Sequence, residues 1–153
     1  MDVRIVTQAF DPQQEVAAFA AGRDDAGALV SFIGTCRAAT GGVAVSELHI
    51  DHYPGFSEKE IARLAEETAR RFACPDLLVV HRVGPICPGE AIVLVAALSE
   101  HRNNAFEVVR ILMDYLKTDA PLWKKETGPT GTRWIEPRNE DYARRRQAGE
   151  GTS

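Results

Sequence analysis

The sequence predicts an α+β fold, a single domain with a mixed or antiparallel sheet and about three helices. Its periodic segments follow one another as β-α-β-β-α-β-β-α-β, without the strict alternation of a doubly wound parallel sheet. Two apolar runs, 77–83 and 91–98, are joined by the Pro/Gly-rich GPICPGE, a hairpin connection. A stretch of helical apolar spacing over 57–72 opens on S-x-x-E and stops at Cys74-Pro75.

Residues 3–8 read as the first strand. Asp11 then offers an N-cap with Pro12 at the first helical position and Gln14 three residues on, and Val16, Phe19 and Ala20 form the stripe this helix buries before Gly22. Residues 28–33 (ALVSFI) are apolar except for Ser31 and predict a buried strand. Residues 34–42 are small and polar, a loop with one guanidinium at Arg37. Residues 43–53 alternate, so Val43, Val45, Glu47, His49 and Asp51 share one face of a half-exposed strand and Leu48, Ile50 and His52 the other.

The second helix is capped by Ser57 and Glu60 and carries Ile61, Leu64, Ala65, Thr68 and Phe72 at helical spacing. After the hairpin, a third helix beginning near Asn103 or Asn104 buries Ala105, Val109, Leu112 and Leu116, with Phe106, Met113 and Lys117 along an adjoining line. Lys117 therefore emerges from an apolar edge in the last turn. Pro121 begins a turn that presents Lys124, and the chain reads as irregular from there to a short closing strand at 133–136. The domain is expected over 1–138, with 139–153 a flexible tail carrying Arg144, Arg145 and Arg146.

A chain of 153 residues needs no disulfide, since a domain of this size buries roughly 70% of the surface its unfolded form exposes. Cys36, Cys74 and Cys87 are odd in number and form no C-x-x-C pair, which argues for reduced thiols and against a zinc knuckle. No basic segment precedes a long apolar run, and no stretch approaches the ~20 apolar residues of a membrane span, so a soluble, cytoplasmic protein is expected. The formal net charge is −4, yet residues 101–138 carry seven Lys or Arg against five Asp or Glu. Positive charge gathered in one region of an acidic chain points to a small anion as ligand, not to a nucleic acid or a membrane.

The chemistry concentrates in 113–134, MDYLKTDAPLWKKETGPTGTRW. Lys117 and Lys124 bracket a short loop, and each suits an acid, a base or an electrostatic stabiliser where burial or a second cation lowers an amine from about 10.4. A lysine in a helix's last turn is equally an ordinary dipole partner. Seven residues span up to ~24 Å if extended, so spacing does not choose between these readings.

His101 and Arg102 fall between a strand end and a helix start, where free N–H groups favour an anion. They suit a phosphate clamp, or equally a solvated helix cap. Glu47, His49 and Asp51 offer mixed donors to a metal, against the commoner reading of polar residues on an exposed strand face. Cys36 has a cation beside it but no base, and reads as a small buried or loop cysteine. Trp123 and Trp134 have faces for a heterocycle, though aromatics this large usually pack in the core.

Taken together, GALVSFIGTCR, LHIDHYPG, HRVGPICPGE, SEHRNNAFEVVRILMDYLKTDAPLWKKE and RWIEPR resemble the catalytic large subunit of molybdopterin synthase, over residues 3–138 in unbroken order. The most specific pieces are the HR pair and the MDYLKT-x-AP-x-WK segment after it. The resemblance implies an α/β hammerhead fold and a sulfurtransferase of molybdenum cofactor biosynthesis. That enzyme puts two sulfurs into cyclic pyranopterin monophosphate to make the molybdopterin dithiolene. The sulfur arrives as a C-terminal thiocarboxylate on a separate small ubiquitin-like subunit, so no cofactor is implied. Family large subunits form a central homodimer with one small subunit at each end, a heterotetramer. This chain ends in GEGTS, without the carrier's Gly-Gly, and is not expected to be that carrier.

By motif, the resemblance implies catalytic roles for Lys117 in YLKT and Lys124 in WKK. Lys117, at the edge of an apolar stripe with Lys124 nearby, is the natural candidate for the acid/base role, while the division of proton transfers between the two lysines and a transient acylation of Lys117 stay open. It implies anion binding by Arg37, His101, Arg102 and Arg138, pocket walls from Phe32 and Met113, and no metal ligand. His101, Arg102 and Arg138 would come from the neighbouring large subunit. Lys125, adjacent to Lys124, leaves the inward-facing lysine of the pair unspecified. Two other classes stay open: a non-catalytic partner that keeps only the carrier-binding surface, and a phosphate-handling hydrolase using Glu47, His49 and Asp51 with a metal. Intact Lys117, Lys124 and Arg37 argue against the first, and chelation separates the second.

Overall fold

Nearly uninterrupted apolar strands need cover on both faces, and the two such runs in this chain form the centre of its larger sheet. In the computed structural model, which describes residues 1–150, β1 (Asp2–Val6), β2 (Ala28–Thr35), β6 (Asp76–Arg82) and β8 (Ala91–Ser99) make a sheet of order β1-β6-β8-β2. The β6–β8 and β2–β8 pairs are antiparallel and β1–β6 parallel. One face is covered by α2 (Phe56–Arg71) and α3 (Arg102–Thr118), packing Ile61, Leu64, Val108 and Leu112 on Leu77, Val79, Val93 and Val95. The other receives α1 (Pro12–Ala20), whose Val16 and Phe19 lie against Leu78, Val80, Leu94 and Ala96.

Local signals place most ends as expected. Asp11 caps α1, accepting from the N–H groups of Gln13 and Gln14 at 2.9 and 3.2 Å. The expected cap of α2 moves by two residues: Glu58, not Glu60, reaches back, to the Gly55 N–H at 2.6 Å, and Gly55 adopts φ +81, a conformation glycine takes without strain. Ser57 is instead buried, accepting from Tyr53 N–H at 2.8 Å and donating to the Pro121 carbonyl at 2.9 Å. The start of α2 is thereby tied to the turn that follows α3.

The strand at 28–33 is not fully buried. β2 is an edge strand, and Leu29 and Phe32 remain 40 and 41% exposed. The stretch 43–53 is two strands, β4 (Val43–Ala44) and β5 (Glu47–His52). β3 (Ala39–Thr40) pairs with β4 inside the expected loop, across Gly41 and Gly42, both at positive φ as a tight hairpin turn requires. β5 keeps the expected alternation, with Leu48 and Ile50 buried and Glu47, His49 and Asp51 on the outer face.

The region after Pro121 differs most. β9 (Leu122–Gly128) and β10 (Gly131–Ile135) form a hairpin in a second, antiparallel sheet of order β10-β9-β5-β7, where β7 (Gly84–Ile86) comes from the GPICPGE connection. Lys124 thus lies on a strand, not on a turn. A small core of Cys36, Leu48, Ile50, Val83 and Ile86 joins the two sheets. Residues 139–150 depart from the expected flexible tail: α4 (Asn139–Glu150) is a helix beside α3, held by Arg145–Asp119 at 2.7 Å and by the Arg145 guanidinium 4.2 Å from the Tyr115 ring. Residues 151–153 of that expectation lie outside the described residues. No helix among the described residues is long and apolar enough to cross a membrane.

Candidate active site

Where the end of α3, the second sheet and the start of α4 converge, they leave a cavity of about 430 Å³. Its walls carry Arg37, Lys117, Lys124, Glu126, Arg138 and Asp141 over an apolar lining of Leu48, Ile92, Leu116, Leu122 and Ile135. Lys117 arrives on the last turn of α3. Lys124 arrives on β9 opposite Ile50, sharing the inward face with Leu122 and Glu126. The Ser57–Pro121 bond fixes the turn between the two lysines. Arg37 follows a segment anchored by Cys36 N–H to Glu90 O at 2.9 Å and Gly89 N–H to Cys36 O at 2.8 Å.

The two lysines sit in different environments. Lys117 is half-exposed and donates to Asp141 Oδ1 at 3.0 Å. Burial pushes the Lys124 amine below its ordinary value, the charge of Lys117 pushes it further, and Asp141 partly opposes both. Burial alone would raise the Asp141 carboxyl, but the Arg138 N–H, the Lys117 hydrogen bond and the charges of Lys117 and Arg144 outweigh it and hold the group ionised. Behind Lys124, His81 is buried and donates from Nδ1 to the Arg82 carbonyl at 2.9 Å; burial first and the Lys124 charge second push its imidazole down to about 4. Glu126 accepts from Thr40 Oγ1 at 2.8 Å and from Arg133 at 3.0 Å, stitching β3 and β10 to the cavity wall. An amine of lowered pKa inside a cationic, partly apolar cavity is equipped for proton exchange beside an anion.

The MoaE protein family matches residues 5–119. The chain belongs to the MoaE protein family. It is 50% identical over 141 residues to the molybdopterin synthase catalytic subunit of Caulobacter vibrioides, covering 92% of this chain and 93% of that protein. The Escherichia coli molybdopterin synthase catalytic subunit is 45% identical over 119 residues, 78% of this chain and 79% of that one. Among solved structures, the Burkholderia ambifaria MoaE protein superposes with a TM-score of 0.79 at 43% identity, over 97% of this chain and 99% of that chain. Molybdopterin synthase from Staphylococcus aureus superposes with a TM-score of 0.77 at 29% identity, over 87 and 96% of the two chains.

Within this MoaE-family chain, four of the residues singled out from the sequence meet in the cavity: Arg37, Lys117, Lys124 and Arg138. Arg138 was expected from a neighbouring copy, and here it lines the same cavity as its own Lys117. His101 and Arg102 lie at the opposite end of α3, roughly 22 Å from Lys117 along the helix axis, in an open concavity with Gly27, Glu100 and Asn103. Neither Phe32, exposed on β2, nor Met113, packed against the main core, lines the cavity.

Glu126 and Asp141 went unnoticed in the sequence. The Glu126 signal was present as the third member of a period-2 set with Leu122 and Lys124, but it is legible only once β9 is known to be a strand. Cys36 is buried, and burial first and Glu126 second raise its thiol, so the structure favours the structural reading of this cysteine. Glu47, His49 and Asp51 share the outer face, but Asp51 is engaged by His49 at 3.1 Å and by Lys125 at 3.1 Å, and no metal-holding group of three His, Cys, Asp or Glu occurs among the described residues. Trp123 and Trp134 are exposed on that face too, not in the core, with Lys125 Nζ 4.7 Å from the Trp134 ring.

Proposed function

We propose that the chain is the catalytic subunit of molybdopterin synthase. It transfers two sulfurs from the C-terminal thiocarboxylate of a small ubiquitin-like subunit to cyclic pyranopterin monophosphate, forming the molybdopterin dithiolene. The observation that carries this reading is the meeting of Lys117, Lys124, Arg37 and Arg138 in one cavity, in a chain half identical to a named catalytic subunit. About 430 Å³ is within the range of small-molecule sites, large enough for a compact bicyclic anion or an extended peptide end.

The chemistry follows from the charges. A thiocarboxylate tail and a cyclic phosphate are both anionic, and Arg37 and Arg138 supply planar forks of N–H donors that match such oxyanions. Lys117 adds a fixed positive charge at the rim, where the carrier's acyl group departs. Lys124, with its lowered pKa, exchanges protons at the pterin side chain as sulfur adds. His101 and Arg102, about 22 Å away along α3, serve the site of a second copy, which makes the homodimer the working unit and a heterotetramer the assembly with two carriers. The sulfur comes from the carrier and no cofactor takes part. The reaction belongs in the cytoplasm.

Mixing the chain with a thiocarboxylated small subunit and the cyclic precursor tests this directly: dithiolene is expected, and its absence rejects the reading in favour of a non-catalytic carrier-binding partner. Exhaustive chelation is expected to leave turnover unchanged. Loss with EDTA, restored by one divalent ion, would return the Glu47, His49 and Asp51 trio to consideration.

A further inference from the structure

One carboxylate joins the two helices that frame the cavity. The Asp141 side chain is 6% exposed and divides its oxygens, Oδ1 accepting from Lys117 Nζ at 3.0 Å and Oδ2 from the Arg138 backbone N–H at 2.9 Å. It stands three residues after Arg138, where a helix's third residue reaches back to the capping N–H. A cap needs only one acceptor. The second oxygen is spent on a cation of the cavity, so a single side chain fixes both the turn that presents Arg138 and the ammonium of Lys117.

We propose that Asp141 is a positioning residue for sulfur transfer, holding Lys117 and Arg138 in place across the cavity and supplying the negative charge that balances Lys117 at Lys124. The proposal rests on the sulfur-transfer reading of this site. The charged groups around Asp141 are Lys117 and Asp114 on α3, Arg144 on α4 and Lys124 on β9. Asp114 is itself pushed upward by burial, with Asp141 adding to the rise and Arg110, Arg144 and Lys117 opposing it. Asp141 is held ionised, and it opposes the influence of Lys117 on Lys124.

The test is the pH–rate profile of single-turnover dithiolene formation by the full chain with thiocarboxylated small subunit and cyclic precursor. Asp141→Asn keeps an acceptor for the Arg138 N–H and removes the charge. It is expected to slow turnover at least ~10-fold and to move the lysine-governed limb to lower pH by roughly one unit, whichever protonation state of Lys124 the reaction uses. A slower enzyme whose limb stays in place would make Asp141 a structural cap and overturn the proposal. Should Asp141→Asn not fold, Asp141→Glu carries the test: the charge remains but reaches one methylene further, so turnover falls at least ~5-fold with the limb within about 0.3 unit of the parent, and full turnover overturns the proposal. Failure of the parent mixture to form dithiolene overturns the functional reading and this proposal together. Normal parent turnover with an unmoved limb in Asp141→Asn overturns only the latter.

Discussion

Lys124 lies opposite Ile50 in the β9–β5 register, and Lys125 lies opposite His49. Because successive strand residues face opposite sides, this offset sends one ammonium into the cavity and the other to the outer face, beside Asp51 and Trp134. Lys124→Ala is therefore expected to lower turnover at least ~100-fold, and Lys124→Arg not to restore it, since a guanidinium keeps charge but does not deprotonate. Lys125→Ala should leave turnover within about two-fold and cost at most ~1 kcal/mol, the worth of an exposed ion pair and ring contact. Single-turnover rates and denaturant unfolding of the three variants check this, and a Lys125→Ala enzyme as slow as Lys124→Ala would refute the assignment.

The environment of Lys117 revises its expected part. A half-exposed ammonium bonded to an ionised carboxylate is suited to holding charge at a fixed place, and the buried Lys124 is better suited to proton exchange. Lys117→Ala should lose roughly 100-fold in turnover, whereas Lys117→Arg should stay within about 10-fold of the parent because the charge and the Asp141 pairing persist. If the Arg variant is as slow as the Ala variant, Lys117 returns to the acid/base or acyl-acceptor role its sequence position first implied.

Separation along α3 gives a test of the dimer. Arg102 and Lys117 are the first helical residue and the next-to-last one of the same helix, too far apart to touch one small anion. Chains carrying Arg102→Ala and chains carrying Lys117→Ala should each be nearly inactive alone and partly recover when mixed, because one hybrid site regains both groups. Mass spectrometry of the mixture establishes subunit exchange. Exchange without recovery would remove His101 and Arg102 from the shared site.

What was legible in the sequence divides by what each segment buries. β6, β8, α2 and α3 were readable because their apolar residues recur at the spacing of the surface they bury. β9 was not, since its inward residues include Lys124 and Glu126, placed to line a cavity, and inward charge erases the hydrophobic alternation by which a strand is recognised. α4 was hidden for a related reason. Its attachment rests on Asp141 and Arg145, polar partners of α3, with hardly any apolar stripe. Lys117 and Lys124 stood out in the 113–134 segment and again by motif resemblance, whereas Glu126 and Asp141, the carboxylates beside them in the cavity, required the fold.

The buried imidazole behind Lys124 links stability to the site. Folded His81 titrates near 4 against its ordinary 6.5, so between those values the unfolded chain binds a proton that the folded chain refuses. Stability is then fully present above about pH 6.5 and declines as pH falls toward 4, by an amount of order 3 kcal/mol over the window. Denaturant unfolding at pH 7.5 and pH 5 should show the drop, and His81→Asn, which keeps a donor for the Arg82 carbonyl, should flatten it even if less stable at both. Lys124 contributes to the effect as the second cause of the shift. Lys124→Met should therefore raise the folded His81 value and shrink the pH dependence without abolishing it, since burial remains. An undiminished pH dependence in Lys124→Met would mean that the cavity lysine and the buried histidine are electrostatically independent.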